Sequence, residues 1–438
     1  MDHIELTLLW IALLLILSKF ANLVERFGQP PVLGELLIGV MLGNLALIGI
    51  QWFEPMKHNE IIEFLAELGV IILLFQVGLE SNIREMRRVG VRALMVACIG
   101  VVVPFVLGTY LVGPWLLPNL SFNAYLFLGA TLTATSVGIT ARVFRDLGIL
   151  QSSEAQIVLG AAVIDDVLGL IILAVVTAVV EVGTISVTGV GGIMLTAVVF
   201  LVGSIIIGQL MAPRIGRWLS TVHAGAGMKF AMAIGFCLLL AYFASFVGLA
   251  PIVGAFAAGL VLDAVHFHTF DDPEIAHQLR DAVQEADPHT RAVVERVADQ
   301  HADRHVEHLI EPVGHLLAPI FFLVTGMNVQ LETLFNPSIL LIALGITVVA
   351  FAGKIMAGIV AGNVNKWLVG WGMAPRGEVG LIFAASGQAL GVVTPEMFSV
   401  IIIVILLTTL LTPPVLTFLV KRETGRAQMP ALVKEQSG

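Results

Sequence analysis

The chain has 438 residues, 58% of them hydrophobic and only 13% charged, with a mean hydropathy of +0.95. A soluble domain carries roughly 25% charged residues, so there is too little polar surface here to cover the apolar mass, and a water-soluble globular protein is excluded. The net charge of −9 points to neither nucleic acid nor an acidic substrate, because the acid excess lies in one insertion and a few positions inside apolar runs.

Apolar runs recur along the chain, each close to the ~20 residues that cross a ~30 Å hydrocarbon core as a helix. Divided at charge, Pro and Gly clusters, they give about thirteen spans, near residues 5–25, 32–50, 60–79, 92–113, 122–145, 155–180, 187–211, 227–246, 248–263, 309–328, 338–362, 367–392 and 397–420. The first run reads as a span rather than a cleaved leader, since it lacks a basic flank and a small-residue cleavage site. Cys98 and Cys237 fall inside runs, with no disulfide framework or zinc spacing around them. The fold expected is an all-α polytopic membrane protein. Residues 1–263 hold spans one to nine, 264–308 an extramembrane insertion, 309–420 spans ten to thirteen, and 421–438 a tail.

The basic residues segregate with this count. Loops after odd-numbered spans and the tail hold Arg26, Arg84, Arg87, Arg88, Arg92, Arg142, Arg145, Arg214, Arg217, Arg280, Arg291, Arg296, Arg304, Lys366, Arg376, Lys421, Arg422, Arg426 and Lys434, whereas even-numbered loops hold only Lys57. Positive charge marks the cytoplasmic side, so the N-terminus is expected outside and the C-terminus, with the insertion, in the cytoplasm.

Two spans are interrupted by polar and small residues. The fifth contains Thr131-Leu-Thr-Ala-Thr-Ser136, and the twelfth contains Gly372-Met-Ala-Pro-Arg-Gly-Glu378 and then Ser386-Gly-Gln388. They fall at corresponding places if spans one to six and eight to thirteen are repeats joined by one linker helix. That linker inverts the second repeat, the plan in which discontinuous helices cross at the midplane and build an ion site.

The sixth span places Asp165 and Asp166 side by side in an apolar helix. Counted from Glu154 at ~1.5 Å per residue, Asp165 lies roughly 16 Å deep, near the bilayer centre. Each ionisable group there costs about 2.5–3.5 kcal/mol on insertion scales, so two do not persist without a partner or a wet cavity. Helix neighbours point about 100° apart, which lets one acid face a cavity and the other a helix. Merely tying helices together would need one acid at most, and hydrogen-bonding residues would do it at lower cost.

Lys354, amid small residues in the eleventh span, is the expected counter-charge for one of the aspartates; it is too far from the helix end to reach an interface easily. The other acid is then left for a cation. Hard cations take oxygen ligands, which Thr133, Thr135 and Ser136 at the first break can supply. Protons compete with a cation for a carboxylate in a partly desolvated cavity, so a site that moves only when loaded with one or the other performs antiport. Release of Lys354 adds a second proton. Arg376 and Glu378 read as a structural ion pair or gate at the cytoplasmic mouth of the twelfth span, and Glu35 and Glu67 as further acids within spans.

The insertion holds seven of the eleven histidines. Asp272-Pro273 and Asp287-Pro288 each predict an N-cap followed by Pro at the first helical position. His301, His305 and His308 fall on one helical face, which suits either a solvated amphipathic pair or a histidine sensor of pH or metal. No tight metal signature is present.

Taken together, Gly28-Gln-Pro-Pro-Val-Leu-Gly-Glu35, Thr133-Ala-Thr-Ser136, Asp165-Asp166, Pro319-Ile-Phe-Phe-Leu-Val-Thr-Gly326, Lys354 and Pro375-Arg-Gly-Glu-Val-Gly380 resemble the cation/proton antiporter 2 family, close to its NapA-type sodium/proton antiporters and to cyanobacterial members. The resemblance covers nearly the whole chain. It implies a thirteen-helix homodimer with an elevator-like core, sodium bound at Asp166, Asp165 paired with Lys354, and electrogenic exchange. It also implies a bacterial inner membrane, or a thylakoid membrane in a cyanobacterium, with no cofactor, no nucleic acid and no enzymatic step. Two departures stand out: a longer insertion than the family pattern, and no nucleotide-binding domain of the potassium-efflux type.

Potassium or lithium in place of sodium, and a cation channel, are the rival readings. An intramembrane aspartyl protease needs two acids facing each other from separate helices, which adjacent acids cannot do. The acidic cavity disfavours organic anions.

Overall fold

The computed structural model describes the chain except residues 1, 28–30, 81–89, 151, 183–186, 222–224, 263–273, 284–287, 304, 330–335 and 436–438. The start of the Gly28 motif, Arg84, Arg87, Arg88, Asp272, Pro273, Asp287 and Arg304 lie outside the described residues, as do the side chains of Arg142, Arg145, His301 and Glu378. Among those described there are helices and turns but no strand.

In chain order the helices are α1 (Asp2–Ala21), α2 (Pro31–Gly43), α3 (Glu60–Glu80), α4 (Gly90–Val106), α5 (Phe122–Thr133), α6 (Val137–Asp146), α7 (Ser153–Val182), α8 (Val187–Ser220), α9 (Ala226–Phe246), α10 (Pro251–Val261), α11 (Glu274–Ala282), α12 (Pro288–Asp303), α13 (His305–Met327), α14 (Pro337–Ala357), α15 (Lys366–Gly372), α16 (Glu378–Ala389) and α17 (Pro395–Glu435). Among the described residues nine helices are long and apolar enough to cross a membrane, and Pro31–Gly43, Pro251–Val261 and Val379–Ala389 are shorter apolar helices. The fifth and twelfth runs are the interrupted ones. Each is a pair of short helices, α5 with α6 and α15 with α16, rather than one continuous span.

The chain divides into two compact units. The first comprises Met1–Glu63, Arg84–Val190 and Phe322–Gly438. In it α4 packs against α5, α7 and α14, α14 packs against α17, and α5 packs against α7 and α16. Small residues bring these helices close, as membrane helices require: Val96, Ala97, Ala161, Ala162 and Ala357 share one buried cluster with Phe144 and Leu368. Gly353 of α14 lies against Pro104 of α4, whose Cγ would stand 2.9 Å from an added Cβ. Past Pro104 the helix widens into a π turn, Leu107–Val112, which accommodates the hydrogen bond that the proline cannot donate.

The caps are written in the sequence. Ser121 accepts from Ala124 N at 3.2 Å to start α5. Asn336, followed by Pro337, accepts from Ser338 N to start α14, and Asn365 accepts from Trp367 N and Leu368 N to start α15. Each satisfies backbone donors that a helix N-terminus leaves orphaned.

The second unit comprises Phe64–Ile83 and Gly191–Phe321. Here α9 packs along α10, and Gly78 of α3 meets Gly259 of α10 so closely that a Cβ on Gly78 would stand 2.9 Å from the Gly259 Cα. The insertion supplies α11 and α12, packed on each other, with Pro288 opening α12 as its motif predicts. His301 belongs to α12, while His305 and His308 open α13. His308 Nδ1 lies 3.6 Å from Glu311, and His305 Nδ1 lies 3.4 Å from the Nζ of Lys229, which is buried at the start of α9. No group of three metal-ligating side chains is found among the described residues.

Candidate ion-translocation site

The first break follows α5. Thr131 and Thr133 donate to Phe127 O and Ala130 O at 2.8 and 2.7 Å, and Ala134 then turns the chain to φ −58° and ψ 138°. The second break follows α15. Pro375 lacks the N–H that would continue the helix, and the residue before it is pushed out of the helical region, so the chain runs unwound from Met373 to Gly377.

The two breaks touch. Ser136 N donates to Pro375 O at 2.8 Å, Thr135 Oγ1 to Met373 O at 3.2 Å, and Thr140 Oγ1 from α6 to Gly372 O at 2.6 Å. Thr409 of α17 donates its hydroxyl proton to Arg376 O. Arg376 is fully buried and donates to Ala134 O at 3.0 Å and Ala350 O at 3.3 Å. The sequence places Arg376 at a cytoplasmic mouth beside Glu378. In the structure it sits inside the break instead, where its guanidinium fills the orphaned carbonyl at the end of α5.

The contact depends on Gly377. A Cβ there would stand 2.6 Å from Ser136 Oγ and 2.7 Å from Ser136 Cβ, closer than side chains approach. Gly377→Ala is therefore expected to push the breaks apart, with a stability cost of about 1–3 kcal/mol by overpacking. A thermal melt of the purified protein, paired with a transport assay, checks it.

Asp165 and Asp166 lie on α7, which packs beside both α4 and α5. Lys354 of α14 holds Asp165 through both oxygens, at 3.0 and 3.1 Å, and the two side chains are completely buried. Gly100 of α4 makes room for the lysine: Lys354 Nζ and Cδ lie 3.6 and 3.7 Å from where a Gly100 Cβ would stand. Asp166 is the more accessible acid, 8% exposed against 1% for Asp165. Thr135 also reaches Asp165 within hydrogen-bonding range. Thr133 Oγ1 lies 3.8 Å from where a Cβ on Gly169 would stand, one turn along α7 from the acids.

The structure thus brings Thr135, Asp165, Lys354 and Arg376 together, sets Ser136 in the seam between the breaks, and leaves Asp166 as the neighbour of the paired acid. Sequence reasoning misses Gly100, Thr140, Thr409 and the Met373 carbonyl. Thr140 and Thr409 look like ordinary membrane threonines, and only the crossing of the breaks gives them a partner.

The sequence profile described as "Sodium/hydrogen exchanger, transmembrane" matches residues 11–422. The chain is 35% identical to the high-affinity Na(+)/H(+) antiporter NhaS3 of Synechocystis sp., covering 89% of this chain and 84% of that one. It is 33% identical to the Na(+)/H(+)-K(+) antiporter GerN of Bacillus cereus, over 93% and 95% of the two chains. Among solved structures it is similar to the sodium proton antiporter MjNhaP1 of Methanocaldococcus jannaschii, with a TM-score of 0.63 at 18% identity, covering 94% of this chain and 96% of that one; at that identity the likeness is one of fold. These relatives are named as transporters and not as enzymes. The chain is a polytopic, all-helical membrane protein that belongs to the sodium/hydrogen exchanger family.

Proposed function

We propose that the protein exchanges sodium for protons across a membrane, electrogenically, at a site built from Asp165, Asp166 and Lys354 beside the crossed breaks. The observation that carries this reading is the fully buried, two-oxygen grip of Lys354 on Asp165 next to a second carboxylate. A buried pair of this kind is expensive to keep, and intramembrane charges of this sort mark ion pathways.

The charge accounting follows from three groups. With Lys354 protonated on Asp165 and Asp166 protonated, the site carries protons. Sodium entering beside Asp166 displaces the Asp166 proton, and when Asp165 turns to the cation, Lys354 gives up its own. Two protons then leave for one sodium, and net charge moves. Thr133, Thr135 and Ser136 are the nearby hydroxyl oxygens that suit a hard cation. Arg376 and Glu378 fall outside the coordination shell in this scheme, with Arg376 holding the breaks together.

In this reading residues 264–308 and 421–438 face the cytoplasm, the protein works as a homodimer in a bacterial inner membrane, or a thylakoid membrane in a cyanobacterium, and the core moves as an elevator. Potassium is the second reading, since one relative carries potassium in its name; lithium is a further cation to test.

The test is reconstitution into acid-inside liposomes with a lumenal pH dye, adding sodium, potassium or lithium outside, with and without a valinomycin–potassium clamp. Cation-triggered lumenal alkalinisation that responds to the clamp is expected. A folded, oriented protein that moves no protons in response to any of the three cations would overturn the antiport reading.

A further inference from the structure

We infer that Thr135 is a positioning residue that toggles its one hydroxyl proton between the Met373 carbonyl and Asp165, and so reports the state of the Asp165–Lys354 pair to the unwound backbone of the second break. This inference rests on the antiport reading above and deepens it.

The carbonyls of the crossed breaks are held unequally. Gly372 O is held by Thr140 at 2.6 Å, Pro375 O by Ser136 N at 2.8 Å, Ala134 O by Arg376 at 3.0 Å, and Arg376 O by Thr409. Met373 O is held by the Thr135 hydroxyl at 3.2 Å, beyond the 2.7–2.8 Å typical of O–H···O bonds. Of these carbonyls it is the one most easily released.

Thr135 has a second acceptor. Its hydroxyl lies within hydrogen-bonding range of Asp165 and has only one proton to give. In this structure Lys354 occupies both oxygens of Asp165, so the carboxylate is already supplied and the proton stays on Met373 O. When Lys354 lets go, Asp165 becomes the stronger acceptor, because a hydrogen bond to an ionised group is roughly twice as strong as a neutral one. Rotation about the C–O bond is then enough to move the proton. The Met373 carbonyl oxygen is freed for a cation in the same step, so the backbone ligand appears only when the pair is open. Thr135, Met373 and Asp165 are all 2% exposed or less, so bulk water does not take the proton's place.

The measurement is sodium-induced thermal stabilisation of the purified full-length protein, which reads affinity without needing transport. It is made on the wild type, Thr135→Val, Thr135→Ser, Lys354→Ala and Thr135→Val/Lys354→Ala, with Lys354→Gln replacing Lys354→Ala should that chain not fold. Thr135→Val is expected to weaken sodium on the order of tenfold, the worth of one hydrogen bond to a charged group, while Thr135→Ser restores the wild-type titration. In the Lys354 background, with no pair left to open, Thr135→Val is expected to change sodium affinity little. The same tenfold loss in both backgrounds would make Thr135 a plain cation ligand and overturn the toggle. A lower melting temperature with unchanged sodium affinity would make it merely structural, and would overturn it too. Failure of sodium to stabilise the wild type would instead fall on the antiport reading.

Discussion

Asp166→Asn is expected to abolish cation-driven proton movement while leaving the protein folded. Asparagine keeps the size of aspartate but cannot carry a proton or a charge. Asp166 is the more accessible acid, and the printed grip of Lys354 is on Asp165, so the variant leaves the buried ion pair in place. A carboxylate 4 Å from a cation contributes about 4 kcal/mol at an effective dielectric of about 20. Its removal should weaken sodium on the order of 10³-fold and take away the competing proton site as well. The liposome assay checks the loss of exchange, and a melt of the detergent-solubilised variant checks that the fold survives. Normal exchange by Asp166→Asn would remove Asp166 from the site and with it the two-proton scheme.

The sequence makes legible whatever depends on composition and on helix periodicity. Hydropathy finds the apolar helices, and the Asp165–Asp166 pair and Lys354 stand out because charge is costly in an apolar run. The interruptions are legible for the same reason: Thr133-Ala-Thr-Ser136 and Pro375-Arg-Gly377 cannot be continuous apolar helix. What fails is anything that depends on two distant segments meeting. Arg376 next to Glu378 reads locally as an ion pair at a helix entrance. Its actual acceptors are Ala134 O and Ala350 O, far away in sequence, and carbonyls carry no signal in side-chain identity. Gly100 and Gly377 fail in a related way. A membrane helix is rich in glycine, and nothing local tells which one leaves space for the lysine on Asp165 and which lets Ser136 through.

Lys354→Ala carries the largest expected effect on stability. The substitution removes the two-oxygen partner of a carboxylate that is 1% exposed, and breaking a buried pair from one side costs about 3–5 kcal/mol because the remaining charge is stranded. Arg376 does not substitute for the lysine, since two of its nitrogens are engaged with main-chain carbonyls. Removing both partners of a buried pair is often far milder than removing one, so Asp165→Asn/Lys354→Ala should recover most of the lost stability, and the difference between the single and double variants reads the pair itself. A thermal-melt cycle over the four proteins checks this. The same residue sets the charge moved. Without the lysine proton, exchange falls from two protons per sodium toward one, and the valinomycin clamp should then have little effect on any activity that remains. A Lys354→Ala protein that is as stable as the wild type and still responds to the clamp would mean that Lys354 neither supports the fold nor carries a proton.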